Sequence, residues 1–218
     1  MRVVPNKYPA FQRQEVVVHS PQHTRSISEL GAEQLELVAE AWRLRAAAAD
    51  EQGKVVFACV NEGRPAGASL LHSHSQLVWL DAEPPVPRAE RGETCRLCDY
   101  LELERAEGTR VVAERDGLVL ICPYASRSAY ECLIVPVEHE ERAFASPLLG
   151  AALGFAAEAL RRLAAAEGPR PVNLWLHEAG HWHLELLPRL SVIASLELGA
   201  GHYINTLAPE EAAERLRG

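Results

Sequence analysis

Two histidines and a glutamine alternate along residues 72–76 (HSHSQ), which is the strongest chemical signal in the sequence. Alternate residues of a β-strand point to one face, so His72, His74 and Gln76 are predicted to lie on the same side. A neutral imidazole is a competent nucleophile at neutral pH. A glutamine amide N–H two residues further on suits a phosphoryl oxygen. The pattern therefore predicts phosphorus chemistry at His74, although the pattern alone is equally typical of a polar strand face.

A loop with two glycines precedes this segment. Gly63 and Gly67 bracket it, and Ser69 follows with a hydroxyl close to backbone amides that could hold an anion. Taken singly, each glycine is better explained as an ordinary turn residue. The position of the loop directly before the histidine strand favours anion binding.

An internal repeat relates the two halves of the chain. Residues 15–23 (EVVVHSPQH) match residues 131–139 (ECLIVPVEH), and residues 72–76 match residues 181–185 (HWHLE). Each copy contains a strand, a proline and a histidine before a helix, followed later by a strand with alternating polar residues. We interpret the chain as a duplicated α+β unit.

A second signal predicts a zinc site. Cys95 and Cys98 supply two soft ligands on a tight turn, and tetrahedral zinc requires two more. His139 and His181 are the candidates, because each occupies a position that the repeat also gives to a histidine in the first half. The alternative is a pair of reduced cysteines with unrelated histidines.

Several predicted elements position these residues. A capping box formed by Ser26 and Glu29 predicts a helix over residues 26–50, and residues 69–80 read as a strand. Residues 81–93, rich in proline and charge, read as a linker. A second long helix is predicted to begin at residues 146–147, with proline at its first position. Two units are therefore expected, residues 1–84 with the candidate nucleophile and residues 85–218 with the zinc ligands.

Composition excludes several classes of protein. The 218 residues carry a formal net charge of -8, which argues against a nucleic-acid binder because phosphate backbones require clustered Lys and Arg. No apolar run reaches the roughly 18 residues of a membrane span. The N-terminal residues lack the apolar core of a signal peptide, and five cysteines do not indicate a disulfide framework. We expect a cytoplasmic protein with no membrane or nucleic-acid partner.

The order of these motifs resembles that of galactose-1-phosphate uridylyltransferases, members of the histidine-triad superfamily. The resemblance runs through residues 2–9 (RVVPNKYP), 20–23 (SPQH), 61–63 (NEG), 66–69 (AGAS) and 72–76, then through residues 131–139, 181–189 (HWHLELLPR) and 209–213 (PEEAA). It implies an α+β fold of duplicated histidine-triad-like units that share an antiparallel half-barrel sheet with flanking helices. It also implies a homodimer.

The resemblance implies a chemistry as well. His74 is expected to attack the α-phosphorus of UDP-glucose and expel glucose 1-phosphate, after which galactose 1-phosphate takes the uridylyl group. Gln76 is similar to the family glutamine that contacts the phosphoryl oxygens. Asn6, Asn61, Gly63 and Ser69 match substrate-binding positions.

The resemblance also implies two zinc (Zn2+) sites. Cys95, Cys98, His139 and His181 match a complete second site that some members have. His23 and His72 match two of the four ligands of the first site, whose cysteine pair lies, in family members, in a segment before the first motif. This sequence starts at that motif, so we expect a short paralogue, a fragment or a misplaced start codon, and weak transfer.

Three readings of the function stay open. The first is the hexose-1-phosphate uridylyltransferase. The second is a phosphorylase of nucleotide sugars such as ADP-glucose, or of dinucleotide polyphosphates, in which phosphate is the acceptor. The third is a zinc-stabilised binding protein that has lost catalysis. The segment after Pro188 lacks the aromatic and lysine pattern that well-studied members use on the sugar, so the hexose also stays open.

Overall fold

All strands of the chain join one sheet. The computed structural model describes residues 1–178 and 180–218. The strands are β1 (Arg2–Pro5), β2 (Arg13–Val18), β3 (Val55–Glu62), β4 (His74–Leu80), β5 (Val111–Arg115), β6 (Leu118–Ile121), β7 (Cys132–Pro136), β8 (Val172–His177) and β9 (His183–Pro188). The helices are α1 (Ala32–Asp50), α2 (Pro85–Glu90), α3 (Arg96–Glu107), α4 (Leu149–Glu167), α5 (Ser195–Ala200) and α6 (Pro209–Arg217).

The strand order confirms the predicted fold class. The nine strands lie in the order β1-β2-β4-β3-β8-β9-β7-β6-β5, and each neighbouring pair is antiparallel. The first half contributes two strands, the long helix α1 and two more strands. The second half contributes three strands, the long helix α4 and two more strands, and the halves meet where β3 pairs with β8. The division into units at residues 84 and 85 stays a prediction, because one continuous sheet serves both.

Two long helices cover one face of this sheet. In α1 the buried side chains recur at helical spacing, among them Leu35, Val38 and Trp42, as the apolar pattern predicts. Trp42 is fully buried and donates its indole N–H to Ser75 Oγ at 2.8 Å, which identifies the face of β4 that α1 covers. Truncating a buried tryptophan to alanine typically costs about 3–5 kcal/mol.

The opposite face of the sheet carries the polar side chains. In β4, His74 and Gln76 alternate with Ser75 and Leu77, so they point away from α1. In the second half this face is partly covered by α3, whose Leu101 packs in a small apolar cluster with side chains of β6 and β7. The packing of Leu101 brings the N-terminal end of α3 to the open face of the sheet.

Four element boundaries differ from the sequence prediction. Ser26 caps a 3-10 turn at Ile27–Glu29, and α1 begins only at Ala32, because Leu30 and Gly31 are extended. The proline-rich linker contains α2. The strand predicted from residue 69 begins at His74, so His72 precedes it. The helix predicted from residues 146–147 begins at Leu149.

Among the residues that the structure describes, every helix is too short or too polar to cross a lipid bilayer.

Candidate active site and metal clusters

The position of the proton on the His74 ring follows from one hydrogen bond. His74 is the first residue of β4, and its Nδ1 lies 2.8 Å from the backbone oxygen of His72. A carbonyl oxygen only accepts, so Nδ1 must carry the proton. The lone pair therefore resides on Nε2, which has no hydrogen-bond partner in the described part of the chain. This is the tautomer that a nucleophilic imidazole requires.

Gln76 lies two residues along the same strand and on the same face. Its backbone pairs with Val16 of β2 on one side and with Cys59 of β3 on the other. Its side-chain oxygen accepts a short hydrogen bond from Gln14 Nε2. The structure thus places His74 and Gln76 together, as their spacing predicts, and their catalytic roles remain proposals.

Asn61 stands on the neighbouring strand on the same face. It directly follows Val60, which pairs with Ser75, so it lies beside His74 across the sheet. Asn173 Nδ2 donates to Asn61 Oδ1 at 2.7 Å, while Arg189 Nη1 donates to Asn173 Oδ1 at 3.3 Å. Because the guanidinium only donates, the orientation of both amides is determined. Asn61 Nδ2 is left on the open face as a donor without a partner among the residues that the structure describes.

The remaining predicted substrate residues lie in loops that adjoin strands of the first half. Gly63 precedes a 3-10 turn with φ of 81°, and a Cβ added there would lie 3.0 Å from Pro171 Cβ. Ser69 is exposed in the loop before β4. Asn6 follows β1, where its backbone N–H donates to Gln14 O at 2.8 Å. The sheet thus places Asn6 near the outer strand of the first half.

The four predicted zinc ligands come together. Cys95 is the N-cap of α3 and Cys98 lies in its first turn, whereas His139 follows β7 and His181 precedes β9. Their ligand atoms all lie within 4.8 Å of one another, and Cys98 Sγ is 3.4 Å from Nδ1 of each histidine. Three segments far apart in sequence therefore converge on one point.

This cluster fits a zinc ion. With Zn–S near 2.3 Å and Zn–N near 2.05 Å, a tetrahedron has an S···N edge of about 3.6 Å, close to the separations around Cys98. Without a cation, burial and the neighbouring Cys95 raise the pKa of the Cys98 thiol to about 11. Zinc binding displaces such a proton, which couples metal affinity to pH.

The histidines of the predicted incomplete site also meet. His23 Nδ1 and His72 Nδ1 are 3.2 Å apart, and His72 Nε2 lies 2.9 Å from Ser20 O. His72 is thereby held immediately before the strand that carries His74. Its backbone oxygen accepts the hydrogen bond from His74 Nδ1.

A second cluster was not predicted from the sequence. Glu90, His177 and His183 bring their ligand atoms within 4.8 Å of one another, so they could hold a cation. His177 Nδ1 is 2.7 Å from Glu90 Oε1, and its Nε2 is 3.2 Å from Glu185 Oε2. Burial, followed by the nearby His177, lowers the pKa of His183 to about 4. The internal repeat contained a signal, since it aligns His183 with His74.

Comparison with known proteins agrees with this geometry. A sequence model of the galactose-1-phosphate uridyl transferase N-terminal domain matches residues 8–84. The ADP-glucose phosphorylase of Arabidopsis thaliana is 26% identical, over 100% of this chain and 74% of that protein. The galactose-1-phosphate uridylyltransferase of Thermotoga maritima is 28% identical, over 93% of this chain and 73% of that protein.

Solved structures agree as well. The crystal structure of the Arabidopsis ADP-glucose phosphorylase with bound ADP-glucose superimposes with a TM-score of 0.85 at 25% identity, covering 99% of this chain and 81% of that one. A uridylyltransferase mutant shares the fold with a TM-score of 0.89 at 24% identity, covering 99% and 87%. The antiparallel sheet with its flanking helices is the fold that this chain shares with these proteins. The chain is thus similar to galactose-1-phosphate uridylyltransferases, in sequence over residues 8–84 and in fold over nearly its whole length.

Proposed function

We propose that this chain is an enzyme that transfers a nucleotidyl group from a nucleoside diphosphate sugar to a phosphate-bearing acceptor, with His74 as the covalent carrier. The supporting observation is the hydrogen bond from His74 Nδ1 to the His72 carbonyl, which leaves Nε2 unprotonated on the open face. A carrier divides the reaction into two displacements at one phosphorus atom.

In the first displacement, His74 Nε2 attacks the α-phosphorus of the donor. A P–N bond forms, the bond from the α-phosphorus to the bridging oxygen breaks, and the sugar 1-phosphate leaves with that oxygen. In the second displacement, an oxygen of the acceptor phosphate attacks the same phosphorus. The P–N bond breaks and its electron pair returns to Nε2. A hexose 1-phosphate acceptor yields a new nucleotide sugar, whereas inorganic phosphate yields a nucleoside diphosphate.

The neighbouring residues have separate roles in this scheme. Gln76 Nε2 donates to an oxygen of the α-phosphoryl group, where negative charge is held in both displacements. Asn61 Nδ2 donates to the substrate beside it, since its oxygen is already engaged by Asn173. Gly63 and Ser69 contribute the anion-binding loop, and Asn6 lies toward the nucleoside.

Two reactions, with different donors and acceptors, are candidates. The motif order favours UMP transfer between UDP-glucose and galactose 1-phosphate. Phosphorolysis of ADP-glucose is supported equally, because the relative that matches the full length of this chain is an ADP-glucose phosphorylase. The two candidates differ in both the base of the donor and the acceptor, so they are separable by product analysis.

Zinc has a structural role in this proposal. Cys95, Cys98, His139 and His181 would hold it, and the ion would join the start of α3 to the two loops beside β9. Thiolate-rich zinc sites contribute directly to folding. His23 and His72 supply two further ligand atoms near His74, and two protein ligands alone seldom make a stable structural site.

Labelling tests the proposal. The protein is incubated with UDP-glucose or ADP-glucose labelled in the α-phosphate, without acceptor, and then digested and mapped. We expect acid-labile label on His74 with one donor, no label on His74→Ala, and discharge by galactose 1-phosphate or phosphate. Label that persists in His74→Ala would refute the assignment of the nucleophile. Tight binding of both donors with no label would instead indicate a binding protein.

A further inference from the structure

Gln14 contacts the proposed phosphoryl-binding residue from the neighbouring strand. In the register of β2 and β4, Val16 pairs with Gln76 and Gln14 pairs with Val78. Gln14 and Gln76 are therefore diagonal neighbours on the open face, a separation that long side chains can bridge. They are 62 residues apart in sequence, and Gln14 Nε2 donates to Gln76 Oε1.

A third residue, Ala10, determines the direction of that hydrogen bond. The backbone N–H of Ala10 donates to the side chain of Gln14 at 2.9 Å. A backbone N–H can only donate, so the atom of Gln14 that receives it must be the oxygen. The amino group of Gln14 consequently faces Gln76, and since an amino group only donates, Gln76 must present its oxygen in return.

This orientation determines where the amino group of Gln76 points. Its Nε2 points away from Gln14 and has no hydrogen-bond partner among the described residues. It is a free donor on the face that carries His74 Nε2. In the flipped orientation, Gln76 would present its oxygen to the phosphoryl oxygens, and the two acceptors would repel each other.

We propose that Gln14 is a positioning residue that holds the Gln76 carboxamide with its amino group toward the α-phosphoryl group. The inference rests on the proposed function, because it assigns a purpose to the orientation of Gln76. A preorganised donor needs no reorientation when the phosphoryl group arrives. Gln14 itself has no contact with the reacting atoms in this scheme.

Gln14→Glu tests the inference because it reverses the direction of the hydrogen bond between residues 14 and 76. One carboxylate oxygen still accepts from Ala10, but the other oxygen now faces Gln76 and can only accept. Gln76 should then turn its amino group toward residue 14 and its oxygen toward the phosphoryl group. In single-turnover labelling of His74, we expect Gln14→Glu to slow adduct formation by at least about tenfold with little change in Tm.

The control is the same substitution in a Gln76→Ala background. A positioning role predicts less than about a twofold further effect there, because the amide to be positioned is gone. An equal loss in both backgrounds would overturn the proposal, since it would show a direct effect of the added negative charge or of a structural change. If Gln14→Glu does not fold, Gln14→Met removes the donor without a charge and should show the same dependence on Gln76.

The orientation can also be measured without substrate. In 1H–15N spectra, the Gln14 side-chain amide protons should exchange slowly with water and those of Gln76 rapidly, with the Gln76 protons slowed in Gln14→Glu. The opposite pattern in the wild-type protein would overturn the proposal. If the orientation is as expected but neither donor labels His74, the proposed function fails and the orientation of Gln76 stands.

Discussion

Removal of Cys98 should abolish the contribution of zinc to stability. Cys98 Sγ is the ligand atom that lies 3.4 Å from both histidine Nδ1 atoms, so Cys98→Ser removes the contact that joins α3 to both loops. A hydroxyl replaces a thiolate at nearly the same size, while the soft ligand is lost. The experiment therefore isolates metal binding from packing.

The expected magnitude follows from linkage. A ligand present at a thousandfold excess over its dissociation constant stabilises the folded state by about 4 kcal/mol. For a protein of this size, each kcal/mol shifts Tm by roughly 2–4 °C. Chelation should therefore lower the Tm of the wild-type protein by about 8–16 °C. Cys98→Ser should melt at the lower temperature with or without chelator.

The shift of Tm is measured by thermal melts with and without chelator, together with metal analysis. Cys122→Ala is the matched control, because Cys122 is a buried cysteine away from the cluster. This control should have a lower Tm in both conditions and keep the chelator shift. His139→Ala should lose the shift and, below its Tm, still accept label at His74.

Two results would refute the reasoning about zinc. The first is a wild-type protein that contains no zinc and melts identically with and without chelator. The second is a Cys98→Ser variant that keeps the full chelator shift, which would assign the shift to the cluster of Glu90, His177 and His183.

Three further predictions concern individual residues. Burial, and then the nearby imidazoles of His74 and His72, lower the pKa of His19 to about 3 from an ordinary 6.5. Only the unfolded chain gains a proton there below pH 6.5, so stability falls as the pH drops from 6.5 toward 3. In urea titrations, the free energy of unfolding of the wild-type protein should fall by about 2 kcal/mol more than that of His19→Phe between pH 6.5 and 5. An equal fall in the two proteins would contradict this. Asn173→Asp should turn the Asn61 amide and raise KM for the nucleotide sugar about tenfold, whereas an unchanged KM would separate Asn61 from binding. Its Tm should fall as well, because residue 173 also loses its hydrogen bond to the Ala66 carbonyl oxygen. Gly63→Ala should cost about 1–3 kcal/mol by thermal melting because of its positive φ and the approach to Pro171, and more than Gly67→Ala, whose added Cβ meets nothing within 4 Å.

Local spacing predicted the site well where the residues are close in sequence. His74 and Gln76 alternate on one strand, and the strand period alone places them on one face. The cluster of predicted zinc ligands required more, because Cys98 and His181 are 83 residues apart. The repeat supplied the missing information, since it singled out two histidines of the second half as counterparts of His23 and His72.

Other features depend on contacts that no local pattern encodes. Glu90 lies in a segment whose prolines indicated a linker, and only the packing of α2 brings it to His177. Gln14 looks like any polar strand residue, and its role depends on the register between β2 and β4. Ser26 carried a valid capping signal, but the signal belongs to a 3-10 turn, since the extended residues that follow interrupt the helix.

The two halves of the sheet explain why we propose a nucleophile in the first half alone, although the repeat provides a matching histidine in each half. His183 has the same arrangement as His74, with Nδ1 3.1 Å from the backbone oxygen of the residue two before it. Two residues on, however, the neutral amide of Gln76 is replaced by the carboxylate of Glu185, which forms an ion pair with Arg127 and lies 3.2 Å from His177. A carboxylate has no proton to donate to a phosphoryl oxygen and repels it. The alternation along the strand is therefore retained in both halves. The residue two positions after each histidine suits the proposed phosphoryl chemistry in the first half and leaves a buried, charged cluster in the second.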